Sequence, residues 1–148
     1  VYTETELHAR YEIKLDNYSK VLHIEAQTML DMVWKDILPA ASAYTKELAE
    51  TVAAKKAIGS GIDTSYEEKL AGHVSVLLSS ATKKSEALEY ALMGVKDITD
   101  TLALARYYRD TIFAAMNELR IIVDEMETHC AAKYWPYPSY GDILFSVK

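Results

Sequence analysis

The residues that could do chemistry are four histidines, one cysteine, twenty-two carboxylates and a tyrosine-rich basic cluster. A di-iron or di-manganese centre in a helical protein needs Glu-x-x-His at i, i+3 on two helices, and neither copy is present. The nearest pairs are Glu4 with His8 and Glu125 with His129, both at i, i+4, where the usual role is a solvated or helix-capping histidine. His23 and His73 stand alone in the sequence and read as packed or exposed side chains. Cys130 follows His129 directly, but adjacent residues on a helix point about 100° apart, so the two do not form a nucleophile and its base. Arg106-Tyr107-Tyr108-Arg109-Asp110 could hold an anion, yet Arg106 with Asp110, and Arg109 with Asp110 or Glu118, make surface ion pairs more simply. Met29, Met32, Met93, Met116 and Met126 read as gap-fillers on or beside apolar stripes. No glycine-rich phosphate loop occurs. The expectation is therefore no catalytic, cofactor-binding or metal-binding residue within these 148 positions.

The elements that would have to position such groups are long helices. From Leu7 to Leu48 apolar residues recur every eleven positions: Leu7, Tyr18, Met29, Ala40; Tyr11, Leu22, Val33, Tyr44; Leu15, Ala26, Ile37, Leu48. That spacing is about 3.67 residues per turn, the period of a nearly straight helix. It predicts a first helix over 5–57, bent at Pro39, whose ring presses on the carbonyl of Lys35. Gly59, Gly61 and Asp63-Thr64-Ser65 form the clearest boundary, with Thr64 to Glu67 or Ser65 to Glu68 available as a capping box. A second helix over 64–95 carries Tyr66, Leu70, Val74, Leu77, Ala81, Leu88, Leu92 and Val95, and Gly94 closes it. A third over 99–132, capped by Thr99 or Asp100, follows after a short link. Short links make antiparallel neighbours, so the fold class is all-α, an antiparallel three-helix bundle forming a single domain over 1–148. The tail over 134–148, with Pro136, Pro138 and Gly141-Asp142, reads as non-helical. Its Tyr134, Trp135, Tyr137, Tyr140 and Phe145 call for packing at the end of the bundle or on a partner.

Length supplies a further expectation. The first helix would run about 80 Å and the other two about 45 Å each. The second helix then pairs back only to about Glu25, which leaves the stretch before His23 uncovered, with Ile13, Val21 and Ile24 off the main stripe. Contiguous exposed apolar surface asks for a partner, and self-association of the chain is expected. A start at Val1 rather than Met, with helical pattern within a few residues, reads as a piece of a longer polypeptide.

Composition narrows the class. The formal charge of −6 is spread along the chain, so nucleic-acid binding, which rests on neutralising phosphates, is not expected. No run of eighteen apolar residues and no basic start leading into a short apolar core is present, so neither membrane insertion nor secretion is expected. A lone cysteine fits a reducing compartment, with cytoplasm the default.

Three stretches carry a family resemblance. They are Arg10-Tyr11-Glu12-Ile13 with Leu22-His23-Ile24-Glu25-Ala26 and Asp36-Ile37-Leu38-Pro39-Ala40; Tyr107-Tyr108-Arg109-Asp110 with Met116-Asn117-Glu118-Leu119-Arg120; and Tyr134-Trp135-Pro136-Tyr137-Pro138 with Tyr140-Gly141-Asp142-Ile143-Leu144-Phe145. Together they resemble the C-terminal helical domain of type III glutamine synthetases over nearly the whole chain. The resemblance implies a parent enzyme that makes glutamine from glutamate and ammonia with ATP and magnesium or manganese, built as a double ring of twelve subunits. Its catalytic, nucleotide and metal residues lie upstream, and none maps here. This chain would be a non-catalytic structural or assembly domain, and its partners the upstream catalytic domain of the same polypeptide and neighbouring subunits. The alternatives are a free-standing helical-bundle adaptor for protein–protein interaction and a small cofactor- or metal-binding bundle enzyme.

Overall fold

The structure, a computed structural model, describes residues 2–59, 61–138 and 140–145. Val1, Ser60, Ser139 and the last three positions of the expected tail, 146–148, lie outside the described residues. The fold is all-α, with three long helical stretches, one short C-terminal helix and no strand among the described residues.

The first stretch comprises α1 (Glu4–Met32), a π segment (Val33–Ile37) and α2 (Leu38–Ile58). Thr3 and Glu6 open it as a capping box. The Thr3 amide donates to Glu6 Oε2 at 2.9 Å, and the Glu6 amide donates to Thr3 Oγ1 at 3.3 Å. Where Pro39 predicts a bend, the structure places the π segment just before it. A π turn holds about one residue more than an α turn, and this one includes Lys35, whose carbonyl a proline at position 39 would crowd in a regular α-helix. Gly59 closes α2 in extended backbone, φ 163°. It does not adopt the left-handed conformation that glycine often supplies at a helix end.

The second stretch is α3 (Ser65–Met93), ending in a 3-10 turn at Gly94–Asp97. The expected capping box is replaced by a different arrangement. Asp63 accepts from the Ser65 amide and hydroxyl, both at 2.9 Å, while Thr64 Oγ1 donates to Glu68 at 3.0 Å. Glu67, buried at the chain reversal, is held by Lys55 at 2.5 Å. The third stretch is α4 (Thr101–Tyr107), a second π segment (Tyr108–Ile112) and α5 (Phe113–His129). Asp100 is its cap, with a side chain that satisfies one of the otherwise unpaired first-turn amides. It accepts from the Ala103 amide at 2.7 Å.

The chain divides into two compact units, Val1–Met32 with Lys83–Ile121, and Val33–Thr82 with Ile122–Lys148. In the first, α1 packs on α4 and the π segment that follows it. The core there is Leu22, Ala26, Leu30, Leu88, Ala105, Tyr108, Ile112, Met116 and Leu119, with Ser19 and Ser85 also buried. The end of α3 runs antiparallel to the third stretch in this unit: Lys84 pairs with Glu118 at 2.5 Å, and Tyr107 Oη donates to the Ala91 carbonyl at 2.9 Å. In the second unit the core is Val33, Ile37, Leu38, Ala41, Tyr44, Leu48, Val74, Leu77, Ala81 and Met126.

The buried face of the first stretch corrects the sequence reading at one row. Two of the eleven-residue rows are inside from Leu22 and Ala26 onward. The third buried row is Ser19, Leu30 and Ala41 rather than Leu7, Tyr18, Met29 and Ala40, because a serine at its head hides an otherwise apolar row. Burying Ser19 costs little, because a serine can bond back to its own helix. Its hydroxyl donates to the Leu15 carbonyl at 3.0 Å. Residues 2–14 are all exposed, as length arithmetic expects, but burial begins at Ser19, before His23, because α1 also packs on the third stretch.

The tail is not wholly non-helical: Tyr140–Leu144 forms α6, and the Phe145 amide donates to the Gly141 carbonyl at 3.0 Å. Asp142 lies in its first turn, where a carboxylate complements the helix dipole, so the Gly-Asp pair starts a turn of helix here rather than breaking one.

Ser85 is fully buried and its hydroxyl has no hydrogen-bond partner. Ser85→Ala should therefore leave stability unchanged or raise it by up to about 1 kcal/mol. Leu88→Ala, one turn away in the same core, should cost about 2–5 kcal/mol. Urea unfolding of the two variants, compared at constant slope, checks both.

Candidate functional site

The second unit brings together three of the groups singled out in the sequence. His73 on α3 and His129 at the end of α5 stack with ring centroids 4.4 Å apart at 57°. His73 Nε2 lies 3.3 Å from Glu125 Oε1, close enough for an ion pair but outside hydrogen-bond geometry. His129 Nδ1 is 2.9 Å from both the Thr128 hydroxyl and the Glu125 carbonyl, so the i, i+4 pair meets through the backbone, not the carboxylate. The rings border an open, largely apolar groove on α3, lined by Tyr66, Lys69, Leu70, Gly72 and Val76. Among the described residues no group of three or more His, Cys, Asp or Glu side chains is arranged to hold a metal ion. The cluster offers a tilted ring contact and a charge contact, with Lys69 and Tyr66 on the same groove.

The remaining candidates are dispersed. Glu4 and His8 are exposed, and His8 sits 3.7 Å from Glu12 instead of Glu4. His23 is half-buried in the first unit, its Nδ1 2.9 Å from Tyr108 Oη with the rings edge to face. Burial pushes the Tyr108 phenol above its ordinary range. Cys130 is half-buried, and burial raises its thiol above the usual range, the opposite of an activated nucleophile. Arg109 forks onto Asp110 at 2.6 and 2.8 Å, while Glu118 is taken by Lys84. Of the methionines, Met116 and Met126 are core residues, but Met32 and Met93 are exposed, which corrects their reading as gap-fillers.

The tail junction gathers a second set of side-chain bonds on the second unit, beside that at the chain reversal. Glu47 on α2 accepts from Lys133 at 2.6 and 2.8 Å and from Tyr134 Oη at 2.6 Å, and Tyr134 packs on Tyr44 with centroids 5.5 Å apart. The Lys133 ammonium and the Tyr134 hydroxyl hold the Glu47 carboxyl below its ordinary range. Tyr137 Oη donates to Asp36 at 2.7 Å. Beyond it Ile143, Leu144 and Phe145 are exposed, Phe145 by 84%. Sequence reasoning finds the tail's aromatic character but not its partners. It also misses the approach of His73 to His129, for which the antiparallel register of α3 against α5 is the one signal available.

What these elements define is an all-α chain of three long helical stretches and a short C-terminal helix. The profile of the glutamine synthetase C-terminal domain family matches residues 1–56. A glutamine synthetase of Butyrivibrio fibrisolvens is 37% identical over 151 residues, taking in 100% of this chain and 21% of its own length. The type-3 glutamine synthetase of Dictyostelium discoideum is 32% identical over 98% of the chain and 20% of its own length, and a glutamine synthetase of Bacteroides fragilis is 26% identical over 99% and 21%. The chain thus matches the glutamine synthetase C-terminal domain family over its first 56 residues and is similar over its whole length to glutamine synthetases, of which it spans about a fifth.

Burial and the bond to Asp36 push the Tyr137 phenol up to about 12 from an ordinary 10.0. A group whose folded value is raised contributes stability that is complete below its unfolded value and is lost as pH rises through the folded one. Tyr137 should therefore titrate near pH 12 in a spectrophotometric titration. Its contribution to stability should fade between about pH 10 and 12, and Tyr137→Phe should remove that part of the alkaline loss.

Proposed function

We propose that this chain is the non-catalytic structural and assembly domain of a type III glutamine synthetase. The observation that carries the reading is a pairing of facts. The similarity to the relatives takes in the whole chain yet only about a fifth of their length, and the start of α1 leaves Leu7, Tyr11 and Ile13 exposed. In this reading the three helical stretches act as one antiparallel bundle, a single domain, and the exposed start of α1 leans on the catalytic part of the same polypeptide or on a neighbouring subunit of a twelve-subunit ring pair. The parent enzyme is a cytoplasmic ligase joining ammonia to glutamate with ATP and magnesium or manganese, and all of those groups bind outside these residues. The contribution of this chain is apolar surface at a fixed place.

The test is a full-length synthetase ended just before the position of Val1, followed by native mass and glutamine formation together. The expected result is loss of ring assembly with loss of activity. Intact, active rings would overturn the assembly role and favour a helical adaptor.

A further inference from the structure

α1 carries a second apolar line on the side away from its own core. Tyr2, just ahead of the helix, Ile13 and Ile24 follow one another at intervals of eleven residues and are 58%, 66% and 62% exposed. At about 100° per residue this line lies nearly opposite the face on which Leu22 and Ala26 enter the core. The charges along it are antisymmetric about Ile13. Glu12 precedes it by one residue and Lys14 follows by one; Arg10 precedes by three and Asp16 follows by three; Glu6 precedes by seven and Lys20 follows by seven. Each of these three mirrored pairs thus holds opposite signs.

We propose that this face of α1 pairs with the same face of a second copy of the chain, antiparallel, about a two-fold axis through Ile13. Such pairing sets Ile13 on Ile13 and each Tyr2 at the level of the other copy's Ile24, so the three apolar residues of one copy face those of the other. Glu6 and Lys20 stand about 20° to either side of the line, which brings the carboxylate of one copy within reach of the ammonium of the other, twice by symmetry. Arg10 with Asp16 and Glu12 with Lys14 share a level but lie on opposite edges, where they act as longer-range attraction. A parallel pair in register on the same face would oppose every charge to its own kind, so the pattern selects the orientation as well as the partner. Local geometry suits the pairing. The Arg10 guanidinium lies 4.1 Å over the Tyr2 ring, which holds that aromatic group at the end of the line. Lys20 bridges to Asp16 at 2.7 Å on the exposed surface, on the edge away from the facing Glu6, so in the pair its ammonium swings back across the line to reach that carboxylate. The pairing rests on α1 alone and not on the synthetase reading, so ring assembly and this contact can fail separately.

Sedimentation equilibrium of the 148-residue chain tests it. The expected result is a concentration-dependent monomer–dimer equilibrium, abolished by Ile13→Glu, which sets two carboxylates on the axis. Glu6→Lys and Lys20→Glu should each weaken the dimer by about tenfold, and the two together in one chain should restore it, because the attraction is rebuilt only between copies. All three substituted residues are exposed, so circular dichroism should show unchanged helix content apart from the first turn, which Glu6 helps to cap. A chain monomeric at all concentrations would overturn the proposal. So would dimers indifferent to Ile13→Glu, or single charge reversals with no effect, the last pointing to parallel pairing or another face.

Discussion

The constraint on which the rest depends is that a helix of this length must keep one line of side chains facing its neighbours. An α-helix at 3.6 residues per turn drifts away from any eleven-residue repeat. From Leu15 to Leu48 the seam makes about nine turns in about 33 residues, roughly 0.6 residue more than ideal geometry provides. The π segment at Val33–Ile37 supplies about one residue in one turn, and Ile37 and Leu38 are both buried where it does so. The third stretch meets the same demand with its own π segment, Tyr108–Ile112, between buried Ala105 and buried Met116.

That constraint explains how much of the fold is legible in the sequence. The eleven-residue rows, the break at Gly59 to Asp63 and the cap at Asp100 are consequences of local chemistry, and a single sequence carries them. The π turns are not legible, because they are a compromise between seam and helix that depends on a partner surface. The Ser19 row escapes for a simpler reason: a serine bonded to its own backbone counts as apolar in packing but not in a hydropathy pattern. At the tail, Gly141-Asp142 carries two local meanings, turn and helix start, and the structure takes the second.

Candidate chemistry is legible mainly by elimination. Spacing alone argues against Glu-x-x-His centres and a Cys–His pair; in the structure burial raises the Cys130 thiol, His8 sits beside Glu12 and His23 beside Tyr108. The approach of His73, Glu125 and His129 is hidden by the length of chain between them and becomes visible only when the register of α3 against α5 is fixed. Ion pairs behave as weak, local choices. Arg109 takes its sequence neighbour, and Glu118 takes a lysine on another helix.

A helix that contains a π turn has one residue of slack written into its length. Were the turn to close to ordinary α geometry with that residue kept, the helix would not break, yet the side chains beyond it would rotate by about 100° against those before it. Within the second unit such a rotation would set Tyr44 and Leu48 out of line with Val33, so that one row could stay in the core only by expelling the other. Glu47 would swing away from the lysine and tyrosine it grips. The π turn between Met32 and Leu38 is thus a setting: a wider turn, rather than any particular side chain, keeps the rows of α2 in line with Val33.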